Sequence, residues 1–197
     1  MTAMENFKDA RMDRKLESEL IGNCAPTLAG LKSANLFRYL YRDADTVLTE
    51  LSEVNRLLNE RGVYVEALHW EEDAVLVYAY RKSHLQRELC GEQAREILDR
   101  YGYPAGDLES SLAFLKKRLQ GYTCFPHEIG IFLGYPPEDV KGFIENRGKN
   151  CQYCGLWKVY GNAQERRKLF CKLQKCAEVY LRVFAEGREL SQMTVCA

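Results

Sequence analysis

The sequence has no apolar run approaching the ~20 residues that a membrane-spanning helix needs. It also has no net charge, with 28 Lys and Arg against 28 Asp and Glu. The first absence argues against a membrane partner. The second removes the global field that draws proteins onto nucleic acid or anionic bilayers. Neither a GxGxxG fingerprint nor a GxxxxGKS/T loop is present, so the common nucleotide-dependent enzymes are excluded. The opening MTAMENFKDARMDRKLE mixes charges and lacks an apolar segment, and reads as neither a secretory signal, an anchor nor a transit peptide. No repeat, low-complexity tract or Ser/Gly/Pro linker divides the chain. Histidine is scarce: His69, His84 and His127 are the only three.

What is there is ordinary in bulk and uneven in detail. A hydrophobic content of 46% with 28% charged residues is that of a soluble globular protein, and 197 residues suffice for one domain. The eight cysteines are about twice a usual load but fall short of a disulfide scaffold. Without an export signal they are expected to be reduced thiols in the cytoplasm.

Periodicity predicts a helix over residues 5–20, with residues 1–22 packed more loosely than the rest. In NCAPTLAGLK, Asn23 is placed as an N-cap and Pro26 in a first turn. LFRYLY reads as a strand. A helix starts at Asp45, carries Leu48, Leu51, Val54 and Leu58 on one face, and ends at Gly62. VYVEALHW and AVLVYAYR form an antiparallel hairpin. Helices follow from Ser83 to Arg100 and from Asp107 to Leu119, then two short ones between Glu128 and Ile144. GLWKVY is a further strand, and a long helix spans Asn162 to Ala185. The expectation is a single α/β or α+β domain over 1–197, with a small mixed sheet of about four strands covered by helices.

Four motifs invite chemistry. Glu128–Ile144 has the apolar spacing of a helix-turn-helix, but its second helix opens Pro136-Pro137-Glu138-Asp139. Those carboxylates repel phosphate, so nucleic acid is not the expected partner. Cys151 and Cys154 form a CxxC, with Cys171 and Cys176 downstream. Five residues apart on a helix, the second pair diverges by about 140°, so four ligands do not converge on a zinc ion. Cys176 falls on the apolar stripe instead. Cys24, placed one residue after an N-cap, would have its thiol pKa lowered by free backbone N–H groups. His127 is the candidate base and Glu128 the acid that would complete a triad. Pro126 at N1 and Glu128 at N3 also serve as plain helix-start residues. Finally, the aromatics of GLWKVY and of the hairpin (Tyr64, Tyr78, Tyr80) pack a core or line a pocket for a flat group such as haem or flavin. No cofactor is identified.

CAPTLAGLKSANLF, FPHEIGIFLGYPPEDVKGFI and GLWKVY together resemble the signature segments of domain-of-unknown-function family 3793, from anaerobic Gram-positive bacteria. The resemblance spans nearly the whole chain and implies a stand-alone protein of this length. It marks Cys24, Lys32, Pro126, His127, Glu128, Gly130, Gly134, Trp157 and Lys158 as motif positions without roles. It associates the family with iron or redox metabolism but implies no function. Three readings stay open: a thiol/histidine-dependent enzyme using Cys24 and His127; a non-enzymatic metal-, haem- or partner-binding accessory protein; and an interaction domain whose motifs are structural.

Overall fold

AVLVYAYR carries no polar side chain other than tyrosine before its terminal arginine, so a strand made from it needs cover on both faces. In the computed structural model, which describes residues 15–105, 107–120 and 125–196, this run is β3 (Ala74–Arg81), the central strand of a three-stranded sheet. β1 (Ala34–Leu40) and β2 (Val63–Trp70) flank it, both antiparallel. Phe37 stands opposite Val77 and Val65 opposite Ala79, so alternate residues of the three strands share a face. One face gathers Phe37, Tyr39, Val63, Val65, Val75 and Val77. The other carries Ala34, Tyr78, Tyr80 and Leu68, the last at a register shift between Ala67 and His69.

Helices cover both faces. The first packs against α1 (Lys15–Leu28) and α2 (Ala44–Leu58). The second packs against α3 (Lys82–Leu89), α4 (Glu92–Arg100), α5 (Leu108–Gln120), α6 (Ile129–Phe132) and α7 (Pro137–Glu145). A separate two-stranded ladder joins β4 (Tyr153–Cys154) to β5 (Lys158–Val159), and α8 (Ala163–Ala185) returns across α1.

The mixed α/β class and the small helix-covered sheet are as expected. The strands divide three and two, and both ladders are antiparallel. GLWKVY contributes only Lys158–Val159 to strand, because the next two backbone N–H groups, of Tyr160 and Gly161, are taken by the Asp139 carboxylate at 2.8 Å each. The helix expected from Ser83 to Arg100 breaks at Gly91, whose extended backbone caps α4. α2 starts at Ala44, one residue before the expected Asp45, and Asp43 caps it by accepting from Thr46 N at 2.9 Å.

The largest difference lies at the start of the chain. Part of the helix expected over 5–20 lies outside the described residues, and α1 runs on to Leu28 without a break at Asn23. Its buried stripe of Leu16, Leu20, Ile21, Cys24 and Leu28 keeps helical spacing through the supposed cap. Asn23 therefore caps nothing. Its side-chain amide donates to Glu19 O, one turn back, at 2.9 Å.

Arg81, at the end of the central strand, ties these layers together. Its guanidinium is buried and donates to Thr27 O (2.6 Å), Leu28 O (2.5 Å) and Val195 O (2.7 Å). The first two are carbonyls of the last turn of α1, which lack intrahelical donors and carry the negative end of the helix dipole. One cation thus joins the sheet, the end of α1 and the C-terminal segment. Arg81→Met removes all the guanidinium donors at once, taking from Val195 O its side-chain partner and leaving Thr27 O and Leu28 O with one backbone donor each, from Gly30 and Val195. It should destabilise the protein by about 3 kcal/mol or more, measured as a lower urea midpoint with an unchanged m-value.

Candidate functional site

Two turns of the same kind, far apart in sequence, meet to form one wall. After α1, Gly30 N–H donates to Thr27 O at 3.1 Å and Leu31 N–H to Pro26 O at 2.9 Å. After α6, Gly134 N–H donates to Ile131 O at 3.0 Å and Tyr135 N–H to Gly130 O at 2.9 Å. Both are Schellman closures, and both put glycine at positive φ, 72° and 68°. A Cβ on Gly134 would lie 3.1 Å from Ser33 Cβ, so the turns touch. The first turn delivers Lys32 and Ser33, and the second Gly134. α3 adds His84 and Glu88, and Trp157 of the β4–β5 hairpin closes the space. The result is a chamber of roughly 150 Å³, polar on the side of Lys32, Ser33, His84 and Glu88 and closed elsewhere by Leu31, Leu169 and Leu173.

A column of side chains forms its inner boundary. Lys32 Nζ lies 5.1 Å from the centre of the Tyr135 ring. Tyr135 stacks on Trp157 at 4.5 Å and 21°, and Trp157 meets Phe170 edge-on at 4.5 Å. Trp157 also lines a second, apolar chamber of roughly 350 Å³ with Phe125, His127, Leu133, Tyr135 and Phe143. His127 meets Phe143 edge-on at 4.9 Å. Lys158 stands on the same wall, its amine donating to Gly148 O at 2.6 Å and lying 5.8 Å from the centre of the Phe143 ring.

Asp139 holds this arrangement in place. Its carboxylate is buried and accepts from Trp157 Nε1 (2.9 Å), Tyr160 N (2.8 Å), Gly161 N (2.8 Å) and Arg166 Nε (3.3 Å). Neighbouring Glu138 accepts from the same arginine at 2.5 Å. The acidic start of α7 is therefore engaged with the hairpin and with α8.

The electrostatics separate the candidates. The Lys32 amine is pushed down to about 8, chiefly by burial, against the opposing pull of Cys24 and Glu88. Ser33 Oγ donates to Glu88 Oε1 at 2.5 Å. Burial also lowers His84, with Arg81 and Arg87 adding to it. Cys24 is fully buried within the core, and desolvation raises its thiol pKa far above the ordinary range. The expected helix-start activation of this thiol does not apply: Cys24 sits mid-helix, and the charge acting on it is Lys32, with no hydrogen bond to His127 among the described residues. Glu128 is buried too, held by Arg118 Nε at 2.6 Å and Tyr103 Oη at 3.2 Å, and anchors α6 to α5. Of the three residues proposed for catalysis, His127 alone lines a chamber.

Cys151 is part-exposed and Cys154 exposed in the hairpin, while Cys171 is exposed and Cys176 half-buried. Among the described residues no cluster of three or more His, Cys, Asp or Glu is placed to hold a metal; Cys124 lies outside those residues. No helix among them is long and apolar enough to cross a membrane. Ser33, His84, Glu88 and Tyr135 were not singled out from sequence as site residues. Two of them adjoin marked motif positions, Ser33 after Lys32 and Tyr135 after Gly134.

Fold and cleft define a mixed α/β protein with a two-chambered aromatic site. The chain belongs to the family of proteins of unknown function DUF3793, whose model matches residues 20–194. No curated protein and no solved structure matches it.

Two measurements check this description. Iodoacetamide at pH 8 should leave Cys24 unmodified in the native protein while Cys90, Cys154 and Cys171 react, and denaturation should expose it. Asp139→Asn leaves donors facing an amide. It should destabilise the protein by about 3 kcal/mol and red-shift Trp157 emission as the indole loses its anchor.

Proposed function

We propose that the protein is a non-enzymatic binding protein of the cytoplasm that holds a small, flat, largely apolar molecule in the chamber between Trp157 and Phe143. The observation that carries this reading is the composition of that chamber. Its wall is aromatic and aliphatic, and three polar side chains interrupt it: His127, Asp139 and Lys158. Asp139 is already committed to four donors, which leaves His127 and Lys158 to orient an occupant. A pocket of this kind binds by burying ring surface and selects by a few polar groups.

The volume, roughly 350 Å³, lies at the small end of ordinary ligand sites. It suits one or two fused rings, or one edge of a larger planar group, better than a whole haem. The Lys158 cation favours an occupant with an acceptor or anionic substituent on that side. The rings of Tyr135 and Phe143 favour stacked or edge-on contact with a planar ligand. Redox-active flavins and quinones have this shape and polarity, in keeping with the association with redox metabolism. Nucleic acid is not a fitting occupant: at the start of α7 Asp139 is buried against the hairpin and Arg166, Glu138 is a part-exposed carboxylate that repels phosphate, and the chain offers no net positive field.

Trp70 and Trp157 are the only two tryptophans, so a Trp70→Phe background makes Trp157 the sole indole reporter. Titration of that variant with riboflavin and with menadione should give saturable quenching of Trp157 by at least one of them. Phe143→Ala should weaken that binding by about tenfold, on the order of 1.4 kcal/mol. Linear, non-saturable quenching by both would overturn the reading.

A further inference from the structure

The polar chamber is not needed for the binding reading, and it has a chemistry of its own. Lys32 sits on the five-residue turn between α1 and β1, where a lysine would ordinarily extend into solvent. Its amine is instead fixed at two points, donating to Ala34 O at 2.5 Å and lying over the face of Tyr135. Among the described residues no carboxylate forms an ion pair with it, and Glu88 acts on it only at longer range. Glu88 is already engaged at 2.5 Å by Ser33 Oγ, and His84 completes that side of the chamber. A half-buried, unpaired amine beside a hydroxyl–carboxylate pair and an imidazole is a setting for amine nucleophilicity. A structural lysine would be expected to have a carboxylate partner instead.

We infer that Lys32 captures a small carbonyl compound as an imine in this chamber. The neutral amine attacks the carbonyl carbon, a C–N bond forms, and the carbonyl π electrons move to oxygen. A proton passes from nitrogen to that oxygen and gives the carbinolamine. The nitrogen lone pair then expels the hydroxyl, which takes up a proton and leaves as water, and the resulting iminium returns its N–H proton to give the imine C=N. The net change is amine plus carbonyl to imine plus water, with no oxidant or reductant. Protons have to reach the departing oxygen, and the Ser33–Glu88 pair and His84 line the same space. The depressed basicity of Lys32 is consistent with this role, because at neutral pH roughly one molecule in ten then carries the free amine.

Chamber size and charge set the class of partner. Roughly 150 Å³ admits a short aldehyde or ketone and no large ring. The Glu88 carboxylate disfavours an anion, so the partner is a neutral carbonyl compound and not an oxo acid. Tyr135 and Trp157 stand between this chamber and the apolar one, so the inference is independent of what the apolar chamber binds.

Propionaldehyde with cyanoborohydride at pH 7, followed by peptide mapping, tests it on the intact protein. Lys32 should be N-propylated at least tenfold faster than exposed Lys175. Lys32→Arg should abolish the fast-labelling site while leaving the circular dichroism spectrum and melting temperature unchanged. Glu88→Gln distinguishes imine chemistry from mere low basicity. Removing a carboxylate that stabilises the ammonium should speed simple acylation of Lys32 by acetic anhydride, but slow its reductive alkylation severalfold. Labelling of Lys32 no faster than that of Lys175, or acceleration of both reactions by Glu88→Gln, would overturn the inference.

Discussion

The candidate site depends on one buried carboxylate. Asp139 accepts four hydrogen bonds from donors on three sequence segments: the Trp157 indole, the backbone at Tyr160 and Gly161, and Arg166 at the start of α8. A carboxylate removed from water is tolerated only when its lone pairs are filled by donors of this kind. The hairpin's own ladder is only two residues long on each side, so its placement rests on such contacts with its surroundings, among them Lys158 Nζ to Gly148 O and Tyr160 Oη to Lys149 O. Trp157, the residue common to both chambers, is oriented by this contact, and the Tyr135–Trp157–Phe170 column follows from that orientation. Each aromatic pair in such a column adds about 0.5–1.5 kcal/mol beyond area burial.

That column divides two environments of opposite character. On one side, aromatic and aliphatic walls favour shape-based binding, with His127 and Lys158 as polar edges. On the other, Lys32, Ser33, His84 and Glu88 form a small polar space in which proton transfer is feasible. Burial acts differently on the two nucleophile types present. It drives Cys24 toward the inert thiol, because the charged form is the reactive one. It drives Lys32 toward the reactive free amine, because there the charged form is the inert one. Of the two, the lysine is the better supported nucleophile, and the helix-start argument for the cysteine fails on the length of α1.

Much of the secondary structure was legible from local pattern. The hairpin of β2 and β3 follows from two β-branched and aromatic runs around Glu71-Glu72-Asp73, and α8 from the Asn162 cap and its apolar stripe. The divergence of Cys171 from Cys176 follows from helical geometry alone. Pro26 misled the reading of α1: a proline read as a helix start lies in the last turn of a longer helix, near a Schellman closure that its own carbonyl accepts. The functional grouping was far less legible. Ser33 and Glu88 are 55 positions apart, and Asp139 and Trp157 are 18 apart, so no periodicity links them. Lys32, His127 and Trp157 were visible as motif positions, but nothing local indicated which of them share a cavity.

The sequence by itself determined most of the element types, the two-sided burial of the central strand, the glycines of the two turns and the divergence of Cys171 from Cys176 along α8. These depend on residue spacing and backbone preference, which act over a few positions. Only the tertiary structure decided that Glu128 is an anchor, that Cys24 is core and that Lys32 and His127 face separate chambers across Trp157. Those outcomes depend on desolvation and on donor–acceptor matching between distant segments, and neither exists until the layers have packed.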